Sequence, residues 1–141
     1  MLNIETFLNS RWLWILARCC IAILFLSSGL AKFFDPKQGF QEMIAAGLEP
    51  AWFFNYASAF VLVSGATLIL INRYVWIGSI ALSIFLILTI LIVHTFWNMP
   101  EPYAKISMYF AIEHIAVIGG LISITMAGHF RQKLKQLEVL P

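Results

Sequence analysis

The chain has 141 residues, of which 61% are apolar and 11% are charged, and its formal net charge is +2. A soluble domain is typically about 45–50% apolar, and a chain this short could not bury so much apolar surface in its own core. This excludes an ordinary soluble domain and indicates a bilayer as the solvent, while the small net charge requires no nucleic-acid partner.

Four apolar runs divide the chain, and each is close to the ~20 residues that a helix needs to cross a ~30 Å hydrocarbon core. They predict transmembrane helices at residues 12–34, 51–71, 74–97 and 105–128. The runs are continuous rather than alternating, which favours helices over a barrel. The predicted fold is an all-α integral membrane four-helix bundle that forms a single domain over residues 1–141.

The link between the first two predicted helices has a pattern of its own over residues 36–48. Apolar side chains recur there at helical spacing with polar residues between them, which predicts a short amphipathic helix in the membrane interface. Asp35 is placed to act as its N-cap, Pro36 suits its first turn, and Pro50 follows its end.

An even number of membrane crossings puts both termini on one side. The basic residues expected on that side are Arg11, Arg73, Arg131, Lys133 and Lys135. Acidic residues collect in the links on the other side, so the positive-inside rule predicts cytoplasmic termini. The basic segment from residue 131 is expected to lie over anionic membrane lipid.

Ionisable residues within the predicted helices are candidates for function, because a charge in hydrocarbon is costly. Arg18, Gly29 and Lys32 share one face of the first helix, which predicts that this face packs against other helices. Each of the two cations has an alternative, in which its long side chain reaches the lipid head groups. Lys32 can also pair with an acid or bind an anion.

Glu113 lies in the fourth predicted helix on a stripe of small residues. The stripe continues through Ala116, Gly120, Ser123 and Ala127. Small residues are typical of helix contacts, so Glu113 is expected to point into the bundle, where it would be paired or protonated. The alternative is a protonated acid that only hydrogen-bonds a neighbouring helix. His114 points about 100° away among bulkier side chains, and it is expected to contact a helix or to face lipid.

Lys32, His94 and Glu113 fall at the ends of their helices that lie opposite the termini. Together with Trp97 they form the predicted ligand-binding pocket, in which Lys32 and His94 would donate hydrogen bonds to a carbonyl group. For His94 the alternative is an interfacial histidine that bonds a loop carbonyl.

The remaining candidate positions are mostly glycines and cysteines, which have small side chains. Gly65, Gly119 and Gly120 are expected to lie at helix contacts, as are Gly29 and Arg18 on the packing face of the first helix. Adjacent Cys19 and Cys20 diverge on a helix, so they are expected to be small apolar fillers rather than a disulfide. The spacing of His and Cys predicts no metal site.

The order of these features resembles the DoxX family of small four-helix bacterial inner-membrane proteins, which includes the YphA-like proteins. The residues that carry the resemblance are Ser28, Gly29, Lys32, Asp35, Pro36, His94, Phe96, Trp97, Gly119 and Gly120. The resemblance implies an inner-membrane location and a role around respiratory or redox chemistry. Relatives appear as subunits of quinone-linked thiosulfate oxidoreductases and as partners in membrane oxidoreductase complexes.

Four functional hypotheses follow. The first is an accessory subunit without catalysis of its own, which binds a lipid or a hydrophobic redox partner such as a quinone. Its protein partner would be a redox complex or a second copy of the chain. The second is a quinone-dependent oxidoreductase subunit, which would need a bound quinone because the sequence shows no redox centre. The third is a structural or assembly protein, and a transporter is a weaker fourth.

Overall fold

The computed structural model describes residues 4–137, so residues 1–3 and 138–141 of the predicted domain lie outside the described part. Every regular element within that part is helical. The elements are α1 (Ile4–Leu8), α2 (Arg11–Phe34), α3 (Pro36–Ala45), α4 (Ala51–Leu70), α5 (Val75–Ile92), a 3₁₀ turn (Phe96–Asn98) and α6 (Tyr103–Gln136). Helices α2, α4, α6 and the segment Val75–Asn98 are long and apolar enough to cross a membrane. This confirms the prediction of an all-α chain with four candidate membrane-crossing helices.

Two helices end elsewhere than predicted. Helix α5 ends at Ile92, because the N–H groups of Val93 and His94 both donate to the carbonyl of Thr89 and the chain then turns. Helix α6 continues to Gln136, past residue 128. The last turns of α6 contact the residues just before α2, since Nη2 of Arg131 donates to the Asn9 carbonyl at 3.1 Å.

Local capping explains where α2 and α3 begin and end. The Ser10 hydroxyl accepts from the Trp12 N–H at 3.2 Å and caps the start of α2. Asp35 serves two helices, because its N–H donates to the Ala31 carbonyl and its Oδ1 accepts from the Gln38 N–H. The chain can therefore leave α2 and enter α3 without an intervening loop.

The long helices pack in the order α2 on α4, α4 on α5 and α5 on α6, with a smaller contact between α2 and α6. The fully buried large side chains are Phe25, Leu62, Ile69, Leu82 and Leu121, together with Asn55. Glycines bring the backbones together, since a Cβ at Gly78 would lie 2.7 Å from the Gly65 carbonyl oxygen.

The start of the described chain and the last turns of α6 lie at one end of the molecule, which we call the terminal end. The contacts of Arg18 with the Leu70 carbonyl and of Arg131 with the Asn9 carbonyl connect α2, α4 and α6 there. The opposite end, called the loop end, carries α3 and the link from α5 to α6. Large apolar side chains are exposed all along the helices, among them Ile23, Phe60, Ile84 and Ile115. Lipid is the environment that suits this surface, and the chain is a multi-pass membrane protein.

Candidate functional site

An ion pair connects α2 to α3 at the loop end. Lys32 Nζ lies 2.8 Å from Glu42 Oε2, and the side chains of Lys32 and Glu42 are 11% and 51% exposed. The pair forms because the Asp35-Pro36 junction folds α3 back along the end of α2. A lysine close to hydrocarbon is stabilised by such a partner, since an isolated ammonium there would be costly.

Asn55 of α4 packs against the junction between α2 and α3, which we call the corner around Lys32. Its side chain is fully buried, and Nδ2 donates to the Lys32 carbonyl at 3.1 Å, which satisfies one of the unpaired carbonyls at the end of α2. Its Oδ1 has no hydrogen-bond partner in the described residues and lies against Gly39 of α3. A Cβ at Gly39 would collide with that oxygen, so glycine permits the approach of α3 to α4.

A cleft of about 240 Å³ opens beside the ion pair, and we call it the Lys32 cleft. It is lined by Ser28, Ala31, Lys32, Asp35, Gln38, Gly39 and Glu42. Sites for whole small molecules usually measure ~300–1,000 Å³. The Lys32 cleft is therefore suited to the polar head of a ligand whose apolar remainder lies in lipid.

His94 belongs to a second cluster at the loop end. Its Nδ1 lies 3.4 Å from the Ser107 hydroxyl, its ring stacks on Phe110 with centroids 5.3 Å apart, and the His114 ring meets it edge-on at 5.0 Å. The alternative of a bond from His94 to a loop carbonyl is not what the structure shows, because the ring bonds a hydroxyl of α6. The His114 side chain therefore contacts His94, and it does not face only lipid.

Glu113 does not point into the protein as expected. Its side chain is exposed and makes no hydrogen bond or ion pair within residues 4–137. The face of α6 that packs is the bulkier one, which contains His114, Val117, Ile118, Leu121 and Thr125. Small size was the wrong guide here, because the buried positions of α6 include the large Leu121 and Ile124 as well as the small Ser107 and Ala111.

The four residues of the predicted pocket therefore occupy three different surroundings. Lys32 pairs with Glu42, His94 contacts α6, and Trp97 is exposed with its ring against Phe96 at 5.0 Å. No hydrogen bond, ion pair or ring contact joins Lys32 to His94 or Glu113 among the residues that the structure describes.

Arg18 is turned inward, so the alternative of a side chain reaching the head groups does not apply. It is 8% exposed, and Nη1 donates to the carbonyls of Leu70 at 2.8 Å and Ile69 at 3.4 Å. A cation at the carbonyl end of α4 is favourable for the helix dipole. Its guanidinium also lies 5.4 Å from the centre of the Trp14 ring.

The glycines expected at helix contacts differ among themselves. A Cβ at Gly29 would lie 2.8 Å from Val63 Cγ2, one at Gly65 would lie 2.7 Å from Leu82 Cγ, and one at Gly120 would lie 3.2 Å from Ile21 Cδ1. A Cβ at Gly119 would meet nothing within 4 Å, so the expected contact of Gly119 is absent from the described chain.

The remaining candidates for redox or metal chemistry are the two cysteines and the clusters of His, Cys, Asp and Glu side chains. Cys19 and Cys20 are free thiols with exposed side chains. Within residues 4–137, no group of three or more His, Cys, Asp or Glu side chains is placed to hold a metal ion.

Sequence reasoning missed Glu42, Asn55 and Gly39 as parts of the corner around Lys32. Glu42 could have been predicted as the partner of Lys32, because it is an acid on the amphipathic segment that directly follows the lysine. Asn55 had another, because an amide in an apolar span requires a buried partner. Gly39 could not be found without the structure, since its role depends on the approach of α3 to α4.

The comparisons with known proteins give one match. The DoxX family model matches residues 13–95, which is more than half of the chain and includes the Lys32 cleft and His94. No curated protein and no solved structure matches the chain.

Proposed function

The chain belongs to the DoxX family, and from this premise we propose that it is an accessory subunit of a quinone-linked membrane redox system. In this proposal the four long helices form a bundle and both termini are cytoplasmic. Helix α3 lies in the membrane interface on the opposite side of the same membrane. The ligand is a quinone, whose polar head enters the Lys32 cleft. The redox assignment rests on the family resemblance, and the binding site rests on the geometry below.

The Lys32–Glu42 pair is the observation that carries the proposal. Lys32 is mostly enclosed, while Glu42 is half exposed on a short helix and can therefore move away. Once the pair opens, the ammonium has hydrogen-bond donors available for a carbonyl or an anionic oxygen. A charge-assisted hydrogen bond of this kind is stronger than a neutral one.

The shape of the cleft restricts the ligand class. Its small volume admits a ring or a head group, and its walls provide the Ser28 hydroxyl and the Gln38 amide as further polar groups. The neighbouring surface of α2 is apolar and lipid-facing, as Leu24 and Leu30 show. A molecule with carbonyl oxygens on a ring and a long apolar tail meets both requirements.

Retention of quinone by the purified chain tests the proposal. The chain is purified in mild detergent from a quinone-containing membrane, and extracted quinone is quantified by mass spectrometry per mole of protein. We expect Lys32→Met to reduce retention about tenfold, which corresponds to the loss of about 1.4 kcal/mol of binding free energy. Glu42→Gln should retain quinone at least as well as the unmodified chain, because the ammonium then lacks its competing partner.

Lys37→Met is the matched control, because Lys37 lies on α3 close to the cleft but is exposed and does not line it. It should retain quinone at the unmodified level. Absence of quinone from the unmodified chain, or equal retention by Lys32→Met, would refute the site. Reduction of added quinone by the purified chain with a supplied electron donor would instead make the chain an enzyme subunit.

A second candidate function, assembly within the membrane, is favoured by Glu113 and the exposed face around it. A carboxyl group on a membrane-crossing helix needs a hydrogen-bonding partner, and within residues 4–137 Glu113 makes no hydrogen bond or ion pair, although it acts electrostatically on His114. A second copy of the chain or a redox protein could provide that partner.

A further inference from the structure

We propose that a groove between α2 and α6 at the terminal end binds one anionic phospholipid. The groove is independent of the Lys32 cleft and lies at the opposite end of the molecule. It has a volume of about 440 Å³ and is lined by apolar side chains together with Trp14 and Arg131, and the end at Arg131 is its mouth. We call it the Arg131 groove.

The groove exists because α2 and α6 touch at only a few places. Nη2 of Arg131 donates to the Asn9 carbonyl at 3.1 Å, and Gly120 lies next to Ile21. Between these contacts lie the small side chains of Ala17, Ser123 and Ala127, which leave the gap open.

The length of the groove fits one acyl chain of one leaflet. From Arg131 to Ser123 it follows α6 for about 12 Å, as judged from a rise of about 1.5 Å per residue. One leaflet contributes about half of a ~30 Å hydrocarbon core. A lipid whose phosphate lies at Arg131 would therefore have its acyl chain against Leu13, Ala17 and Ile124, which line the groove.

Charge at the mouth selects an anionic head group. The guanidinium groups of Arg131, which lines the groove, and of Arg18, which does not, lie 5.7 Å and 5.4 Å from the centre of the Trp14 ring. Arg11 and Arg131 are both close enough to Arg18 to affect it electrostatically. Arg18 Nε is buried without a hydrogen-bond partner in the described residues.

The surrounding residues strengthen this preference. The basic residues of the described chain at the terminal end are Arg11, Arg18, Arg73, Arg131, Lys133 and Lys135, and the acidic one is Glu5. An anionic head group lowers the mutual repulsion of these cations, whereas a zwitterionic one does so less. Arginine also provides paired donors that match a phosphate.

Native mass spectrometry of the full chain tests the inference. The chain is incubated in detergent with phosphatidylglycerol or with phosphatidylcholine that has the same acyl chains. We expect one phosphatidylglycerol to bind with clear preference, and Arg131→Gln to weaken it about tenfold. Lys133→Gln removes the same charge from the opposite face of α6 and should change binding less than about twofold.

A second variant keeps Arg131 and its bond to Asn9. Ala127→Leu fills the groove without changing charge, and it should also weaken phosphatidylglycerol binding about tenfold if the acyl chain lies there. Equal binding of both lipids, an equal loss in Arg131→Gln and Lys133→Gln, or full binding by Ala127→Leu would each overturn the proposal. So would full displacement of the lipid by inorganic phosphate, or a lipid-free dimer that Ala127→Leu dissociates.

Discussion

At the scale of single residues, Gly39 shows how a missing side chain sets the geometry of the Lys32 cleft. A Cβ at this position would collide with the buried Oδ1 of Asn55, whose amide also bonds the Lys32 carbonyl. Gly39→Ala is expected to lower the free energy of unfolding by about 1–3 kcal/mol, the usual cost of overpacking. Thermal unfolding in detergent, followed by circular dichroism, measures this as a lower Tm.

Gly119→Ala is the control for this substitution. Its Cβ would meet no atom within 4 Å, and alanine in a helix is favoured over glycine by about 0.5–1 kcal/mol, so the Tm should hold or rise. The double variant Gly39→Ala/Asn55→Ala removes the colliding oxygen and should recover part of the lost stability. An unchanged Tm in Gly39→Ala would contradict the close packing of α3 on α4.

At the scale of elements, α3 depends on Asp35. The Asp35 carboxylate accepts from the Gln38 N–H and so caps the helix that carries Glu42 to Lys32. Asp35→Ala should destabilise α3 by about 1 kcal/mol, because an alanine cannot accept that hydrogen bond. Hydrogen exchange in residues 36–45 should become several-fold faster, whereas exchange in α4 should stay unchanged.

Asp35→Asn keeps an oxygen that can cap the helix, and asparagine is as good an N-cap as aspartate. Exchange in this variant should match the unmodified chain. Fast exchange in both variants would show that the charge of Asp35, rather than its cap, holds α3 in place.

This helix also shows which part of the site the sequence could predict. The Asp35-Pro36 signal and the amphipathic spacing predicted a helix over residues 36–48, and α3 begins at Pro36 and ends at Ala45. The partner of Lys32 was not predicted, because the direction of α3 depends on tertiary contact. That contact is the approach of Gly39 to Asn55, which no local pattern encodes.

At the scale of the whole molecule, the number of long helices was predictable and their inward faces were not. Helix count follows from hydropathy and length, which are local properties of the sequence. Which face of a helix packs inward depends on the shape and the polar groups of the neighbouring helices. Arg18 is buried because α4 ends in front of it and the Leu70 carbonyl accepts from its guanidinium, and Glu113 is exposed because α6 packs through a different face.

The exposed face of small residues on α6 is a candidate surface for assembly with another helix. It consists of Glu113, Ala116 and Gly119, all exposed, and it lies nearer the loop end than Ser123 and Ala127 of the Arg131 groove. Small residues at such spacing allow another helix to approach closely, and a hydrogen bond between membrane helices contributes about 1–2 kcal/mol in model peptides. A second copy that used this face would give each Glu113 a partner, since two carboxyl groups that share a proton can bond each other.

Gly119→Leu tests assembly through this face, because its side chain would block close approach, while its Cβ would meet nothing within 4 Å in the described chain. The unmodified chain is expected to be a dimer by light scattering in detergent, and Gly119→Leu should weaken the dimer about tenfold. Ile122→Leu changes an exposed side chain away from the face and should leave the mass unchanged. Glu113→Gln should still dimerise, since an amide also donates and accepts, whereas Glu113→Leu should not. A monomer at every concentration of the unmodified chain would exclude self-assembly and leave a different membrane protein as the partner of Glu113.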